Sequence, residues 1–103
     1  MMSTCGDPAT AERLGRALVE EGLAACVNVV PGLRSIYRWN GAVQADEEVL
    51  MIVKTTAARL AATRERLVEL HPYDTPEAVA WPIADGHGAY LDWIADSTRT
   101  AAP

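Results

Sequence analysis

Asn40-Gly41 is the strongest local constraint in this 103-residue chain. Both central positions of a type I′ turn need positive φ, which Asn and Gly tolerate, and strand-like segments flank the pair. Leu33 to Trp39 alternates on the approach, and a returning strand is expected through Val43 and Val49 to Thr55. Further upstream, Leu23 to Val30 is almost continuously apolar and partly β-branched, which predicts a strand buried on both faces. Pro31-Gly32 interrupts this arm. Proline cannot donate to a ladder and glycine permits unusual dihedrals, so a bulge or bend is expected there, and the hairpin should be long and bent.

The remaining elements are read from their end signals. Asp7 suits an N-cap and Pro8 the first helical position, Ala11, Leu14, Ala17 and Leu18 share a face, and Gly22 supplies a stop; this predicts a helix over 8–21. Thr56 is expected to cap a second helix that turns Leu60, Leu67, Val68 and Leu70 inward and ends at Pro72. Ala78 to Ile83 reads as a last short strand, kept near an edge by Pro82. Tyr90, Leu91, Trp93 and Ile94 predict a short helix after the Asp85-Gly86-His87-Gly88 turn, with Thr98 to Pro103 as a frayed tail.

With Met1 to Cys5 as a first strand, the order is strand, helix, strand, strand, helix, strand. This is an α+β, ferredoxin-like βαββαβ pattern, expected as one domain over 1–97 followed by a tail over 98–103. Right-handed crossovers put both helices on one side of an antiparallel sheet and leave the other side uncovered, so self-association follows from the architecture. A chain of this length also buries a smaller fraction of its surface than larger domains do.

Composition narrows the functional classes. Half of the residues are hydrophobic and 22% charged, as in folded, soluble domains. Nine basic against 14 acidic side chains give a net charge of -5, which repels a phosphate backbone and disfavours nucleic acid as a partner. No apolar run approaches the roughly 20 residues needed to cross a bilayer, and Met1-Met2-Ser3-Thr4 lacks the basic start of an export signal; a cytoplasmic protein without a membrane partner is expected. Cys5 and Cys26 form no CxxC pair and are expected as free thiols, Cys26 behaving as a small buried hydrophobe. No GxSxG, HExxH, P-loop or GxGxxG is present, and no enzymatic activity is expected.

Several segments in combination carry a family resemblance. Leu23-Ala24-Ala25-Cys26-Val27-Asn28, Pro31-Gly32 with Ser35-Ile36-Tyr37-Arg38-Trp39 and Gly41, Glu48-Val49 with Lys54-Thr55, His71-Pro72-Tyr73 with Pro76-Glu77, and Tyr90-Leu91-Asp92-Trp93 occur in this order. The chain thereby resembles the CutA family of divalent-cation tolerance proteins from Thr4 to Ile94. The resemblance implies a ferredoxin-like protomer in a compact homotrimer, with the bent hairpin reaching neighbouring subunits. It also implies a link to copper and other divalent metals. The architecture is similar to that of the P-II signalling proteins, which bind small effectors at subunit clefts. Two departures stand out: a first strand shorter than the family's, and Trp81 where a smaller aliphatic residue is usual.

Imidazole and thiolate suit copper and zinc, so His71 and Cys5 are the metal-site residues the resemblance implies. His71 matches the histidine of the family's His-Pro-Tyr motif. In the bacterial copper-binding version a second histidine precedes it and a first-strand cysteine completes the site; the matching positions here are Leu70 and Ser3. Strand alternation puts Cys5 on the same face as Ser3, where it can substitute. A copper or zinc ion is thus possible, without any obligatory cofactor. His71 also reads as a helix-terminal residue that complements the dipole and caps carbonyls, and His87 as an exposed turn residue. A ligand cleft between subunits is expected where Tyr37 and Trp39 meet Lys54, His71 and Tyr73, with Glu77 and Asp92 as polar anchors. Asp46-Glu47-Glu48 reads as a solvated or salt-bridging stretch facing Arg34 and Arg38 across a subunit boundary. The expected function is divalent-metal response by binding, with a P-II-like small-molecule sensor or a structural trimeric scaffold as alternatives.

Overall fold

A computed structural model describes residues 1–99 of the chain. The elements are β1 (Met2–Cys5), α1 (Pro8–Glu20), β2 (Cys26–Trp39), β3 (Ala42–Lys54), α2 (Ala57–Leu70) and α3 (Gly88–Ser97). β2 and β3 form an antiparallel hairpin from the Cys26–Lys54 pair to the Trp39–Ala42 pair. Asn40 and Gly41 close it with φ of 49° and 79°, as a type I′ turn requires. β1 lies antiparallel on the other side of β3, from the Met2–Ile52 pair to the Cys5–Val49 pair, so the sheet order is β1-β3-β2.

The hairpin carries the expected bulge. Val30 stands opposite Leu50 but Leu33 opposite Glu48, so Pro31 and Gly32 together face Val49, with Gly32 at φ 81°. Below the bulge, Val49, Met51 and Val53 of β3 are buried against Cys5 of β1, Ala11, Leu14 and Leu18 of α1, and Leu67 of α2. Above it the hairpin leaves the core, and Ile36, Trp39 and Val43 are exposed.

α1 begins where capping chemistry places it. The Asp7 carboxylate accepts from the Thr10 amide at 2.8 Å and from the Thr10 hydroxyl at 2.9 Å, bonds that hold its pKa below the usual range. Gly15, rather than Ala17, completes the buried face; a Cβ at Gly15 would lie 3.2 Å from Val27 Cγ1, so the helix rides close on β2. On α2 the buried residues are Thr63 and Leu67, while Val68 is exposed. The Thr63 hydroxyl lies 2.9 Å from the Leu23 carbonyl, and the Thr55 hydroxyl donates to the same oxygen at 2.6 Å. Thr56 occupies the N-cap position of α2 without a capping side-chain bond.

Three expectations need correction. The strand predicted over Ala78–Ile83 is a single bridge, Val79 to Met2, closed by amide bonds of 2.7 and 3.2 Å. β1 is only four residues long and Pro82 lacks a donor, so the ladder does not extend. Val30 is exposed and Cys26 only partly buried because both lie on the sheet face that the helices leave uncovered, whereas Val29, on the Met51 face, is exposed at the margin of α1. Trp81, the second departure from the family pattern, lies on the protomer surface at 59% exposure. Thr98 is not frayed: it is buried, and its hydroxyl donates to the Ile94 carbonyl at 2.9 Å. Residues 100–103 of the expected tail lie outside the described residues.

Ser3 is fully buried on β1 and its hydroxyl has no hydrogen-bond partner among the described residues. An unpaired buried hydroxyl costs about 1–3 kcal/mol, so Ser3→Ala is expected to leave stability unchanged or raise it by about 1 kcal/mol. Leu14→Ala, in the same core, is expected to cost about 2–5 kcal/mol. Urea unfolding at one fixed protein concentration measures both.

Candidate functional site

Above the bulge, the hairpin, the end of β1 and the segment after α2 enclose a cleft of about 920 Å³. β2 contributes Tyr37 and Trp39, β3 contributes Asp46, Glu47 and Glu48, and the segment after α2 contributes Tyr73, Asp74 and Glu77. Alternation along the strands aligns the hairpin side chains: Tyr37 pairs with Gln44, which puts it on the same face as Asp46 and Glu48. The Tyr37 hydroxyl donates to Asp46 Oδ2 at 2.5 Å and the Tyr73 hydroxyl to Glu48 Oε2 at 2.8 Å.

His71 fixes the position of Tyr73. As the C-cap of α2 it leaves the helix in extended geometry, and its amide donates to Leu67 at 2.9 Å. Its ring is nearly enclosed, at 7% exposure. Nδ1 accepts from the Tyr73 amide at 3.1 Å, which puts the ring proton of the neutral imidazole on Nε2, 2.9 Å from the Thr4 carbonyl. The His71 and Tyr73 rings are 4.6 Å apart. The imidazole therefore bonds to β1 and to the following loop, and not to the terminal carbonyls of its own helix.

Electrostatics in the cleft have one sign. Every ionisable carboxyl, ammonium, guanidinium or imidazole group lining it is a carboxyl: Asp46, Glu47, Glu48, Asp74 and Glu77. Burial, and then the Glu48 carboxylate, push the Tyr73 phenol well above its ordinary pKa; the bond to Asp46 raises that of Tyr37.

The expected ligand set is divided by the structure. Tyr37, Trp39, Tyr73 and Glu77 meet in the cleft, with His71 behind its wall. Lys54 instead reaches Tyr90, with Nζ 3.2 Å from the hydroxyl and 5.4 Å from the ring centre, and Tyr90 packs on Trp93. Asp92 lies on exposed α3 and does not line the cleft. The acidic run 46–48 and Asp74 are cleft residues that the sequence reading missed; the two-residue spacing of Asp46 and Glu48, on the strand returning past Tyr37, was the available signal. Arg34 stands opposite Glu47 in the ladder, and Arg38 donates to the Gly41 carbonyl at 3.3 Å. His87 is exposed, as expected.

The sequence profile of the CutA1 divalent ion tolerance protein family matches residues 1–97. The chain belongs to the CutA1 family. It is similar to the divalent-cation tolerance protein CutA of Thermus thermophilus, with 56% identity over 88 residues, covering 85% of each chain. A solved structure of the divalent cation tolerance protein from Thermus thermophilus matches with a TM-score of 0.91 and 52% identity over 94% of both chains. The PII-like protein CutA from Nostoc sp. PCC 7120, in apo form, matches with a TM-score of 0.88 and 34% identity, over 95% of this chain and 94% of that one.

CutA1 membership raises the question of a metal, and the donor chemistry at His71 and Cys5 does not fit a closed copper or zinc site. Both imidazole nitrogens are engaged in hydrogen bonds. Cys5 is fully buried with Sγ 3.5 Å from the Asp7 carbonyl, and burial pushes its thiol pKa up, away from the thiolate that metals bind. Ser3 and Leu70 replace the other donors that the family resemblance implies. Among the described residues, no three His, Cys, Asp or Glu side chains converge to hold an ion.

The raised pKa of Tyr73 gives a pH signature. A folded pKa above the unfolded value, near 10, contributes stability that is complete below about pH 10 and is lost as pH rises toward the folded pKa. Unfolding free energy measured across alkaline pH is expected to fall, and Tyr73→Phe to remove that part of the fall.

Proposed function

We propose that the protein is a non-catalytic, homotrimeric divalent-cation response protein that takes copper, zinc or another divalent ion into the acidic cleft. The supporting observation is the cleft lining, where five carboxyl groups stand without a lysine, arginine or histidine among them. Because no three donors converge among the described residues of one protomer, a bound ion keeps part of its water shell or gains donors from a neighbouring subunit. Copper and zinc both accept carboxylate oxygen, with less selectivity than an imidazole and thiolate set gives.

Assembly is supported by the surface. Ile36 and Val43 on the hairpin are 73% and 64% exposed, Trp81 and Ile83 are more than half exposed, and the outer edge of β2 pairs with no strand among the described residues. Patches of this kind are covered in stable oligomers. No helix among the described residues is long and apolar enough to cross a membrane, and the thiols of Cys5 and Cys26 are free. We place the protein in the cytoplasm on the strength of those thiols. The likeness to a PII-like CutA supports a second reading, a small-molecule sensor, and the acidic lining favours a cationic effector over a phosphate-bearing one.

Calorimetric titration of chelator-stripped protein with copper and zinc tests the first reading. Saturable binding that weakens severalfold in a Glu48→Gln, Asp74→Asn variant is expected; no binding of either ion by the parent protein refutes it. Light scattering is expected to give three times the 11.1 kDa chain mass, and Ile36→Lys with Val43→Glu to reduce it toward the monomer.

A further inference from the structure

We propose that His71 is a positioning residue, whose neutral imidazole locks Tyr73, and through it the Glu48 carboxylate, into the cleft wall without ligating the metal. The chain of contacts is continuous. Nε2 donates to Thr4 of β1, Nδ1 accepts from the amide of Tyr73, and the Tyr73 hydroxyl donates to Glu48 of β3. The ring thus joins the end of α2 to a strand 67 positions earlier in sequence. The phenol crosses the exit of β1 closely enough that a Cβ at Gly6 would lie 3.6 Å from its oxygen.

This arrangement opposes metal ligation at either nitrogen. An ion on Nδ1 displaces the Tyr73 amide, and an ion on Nε2 displaces the proton given to Thr4. Each leaves a partly buried polar group without its partner. With the ring left intact, one of the cleft carboxylates is held at the wall by a phenol. Second partners that orient a ligand in this way are commonly worth 10–100-fold in metal affinity. That last consequence rests on cation binding in the cleft, whereas the positioning itself does not.

Three substitutions separate the two bonds. His71→Asn keeps an acceptor near Nδ1, since an asparagine oxygen bonds the amide two residues on; His71→Gln keeps a donor near Nε2; His71→Ala keeps neither. Hydrogen exchange at the Tyr73 amide is expected to stay near the parent rate in the Asn variant and to quicken about tenfold in the Gln and Ala variants. Zinc affinity measured by calorimetry follows the same order, with a loss of about tenfold where the Nδ1 acceptor is missing. In ¹⁵N-labelled parent protein, the imidazole proton lies on Nε2, a scalar coupling crosses the Tyr73 N–H to Nδ1 bond, and neither changes when zinc is added.

A zinc-induced shift of the imidazole nitrogens, with zinc affinity lost alike in all three variants, overturns the proposal. Unchanged Tyr73 amide exchange in the Ala variant also overturns it. If the parent protein binds no zinc, the cleft reading fails, while the coupling and exchange measurements still decide the role of His71.

Discussion

One extra residue at Pro31-Gly32 divides the long hairpin into two environments, and the site depends on that division. A strand shifted by one position presents its side chains to the opposite face, and a bulge makes such a shift locally while bending the strand. Below it, β3 is the central strand and its inward residues complete the core with α1 and α2. Above it, the same two strands continue without a helix behind them, and their aromatic and acidic side chains meet the loop that follows α2. A straight hairpin with one register would give no such change of role along its length.

The sequence was most legible where the physics is local. The Asn40-Gly41 turn, the Asp7-Pro8 helix start and the Pro31-Gly32 bulge are each determined by the dihedral and hydrogen-bonding properties of neighbouring residues, and each stands where it was expected. Helix faces were less legible. Gly15 is buried because Val27 leaves no room for a larger contact, and Thr63 because its hydroxyl reaches the Leu23 carbonyl; neither partner lies within one turn of sequence. The segment 78–83 has strand-like composition, but pairing needs an accessible edge, and four-residue β1 offers one bridge.

The cleft shows the same limit. Tyr37, Trp39, Tyr73 and Glu77 were legible from the family resemblance, while the acids at 46–48 read locally as solvation. Only the fold brings these acids opposite Tyr73. Lys54 was expected in the cleft, yet it reaches Tyr90, 36 positions later. His71 has the identity of a ligand and the position of a helix end, and its bonds to Thr4 and Tyr73 give it a third role. The His71 imidazole and the Cys5 thiol, the expected soft-metal donors, are enclosed and occupied within the fold. The ionisable groups that line the cleft are carboxylates and phenols. On the proposed reading, this inversion points the binding chemistry of this CutA1-family chain toward charge at an acidic surface.

Crystals soaked in zinc and measured at the metal's absorption edge give the most direct test of where a cation goes. Anomalous density beside Glu48 and the other cleft carboxylates, with the His71 ring still bonded to Thr4 and Tyr73, is the predicted result. Density bonded to His71 or Cys5, with the ring turned away from those partners, would contradict the account.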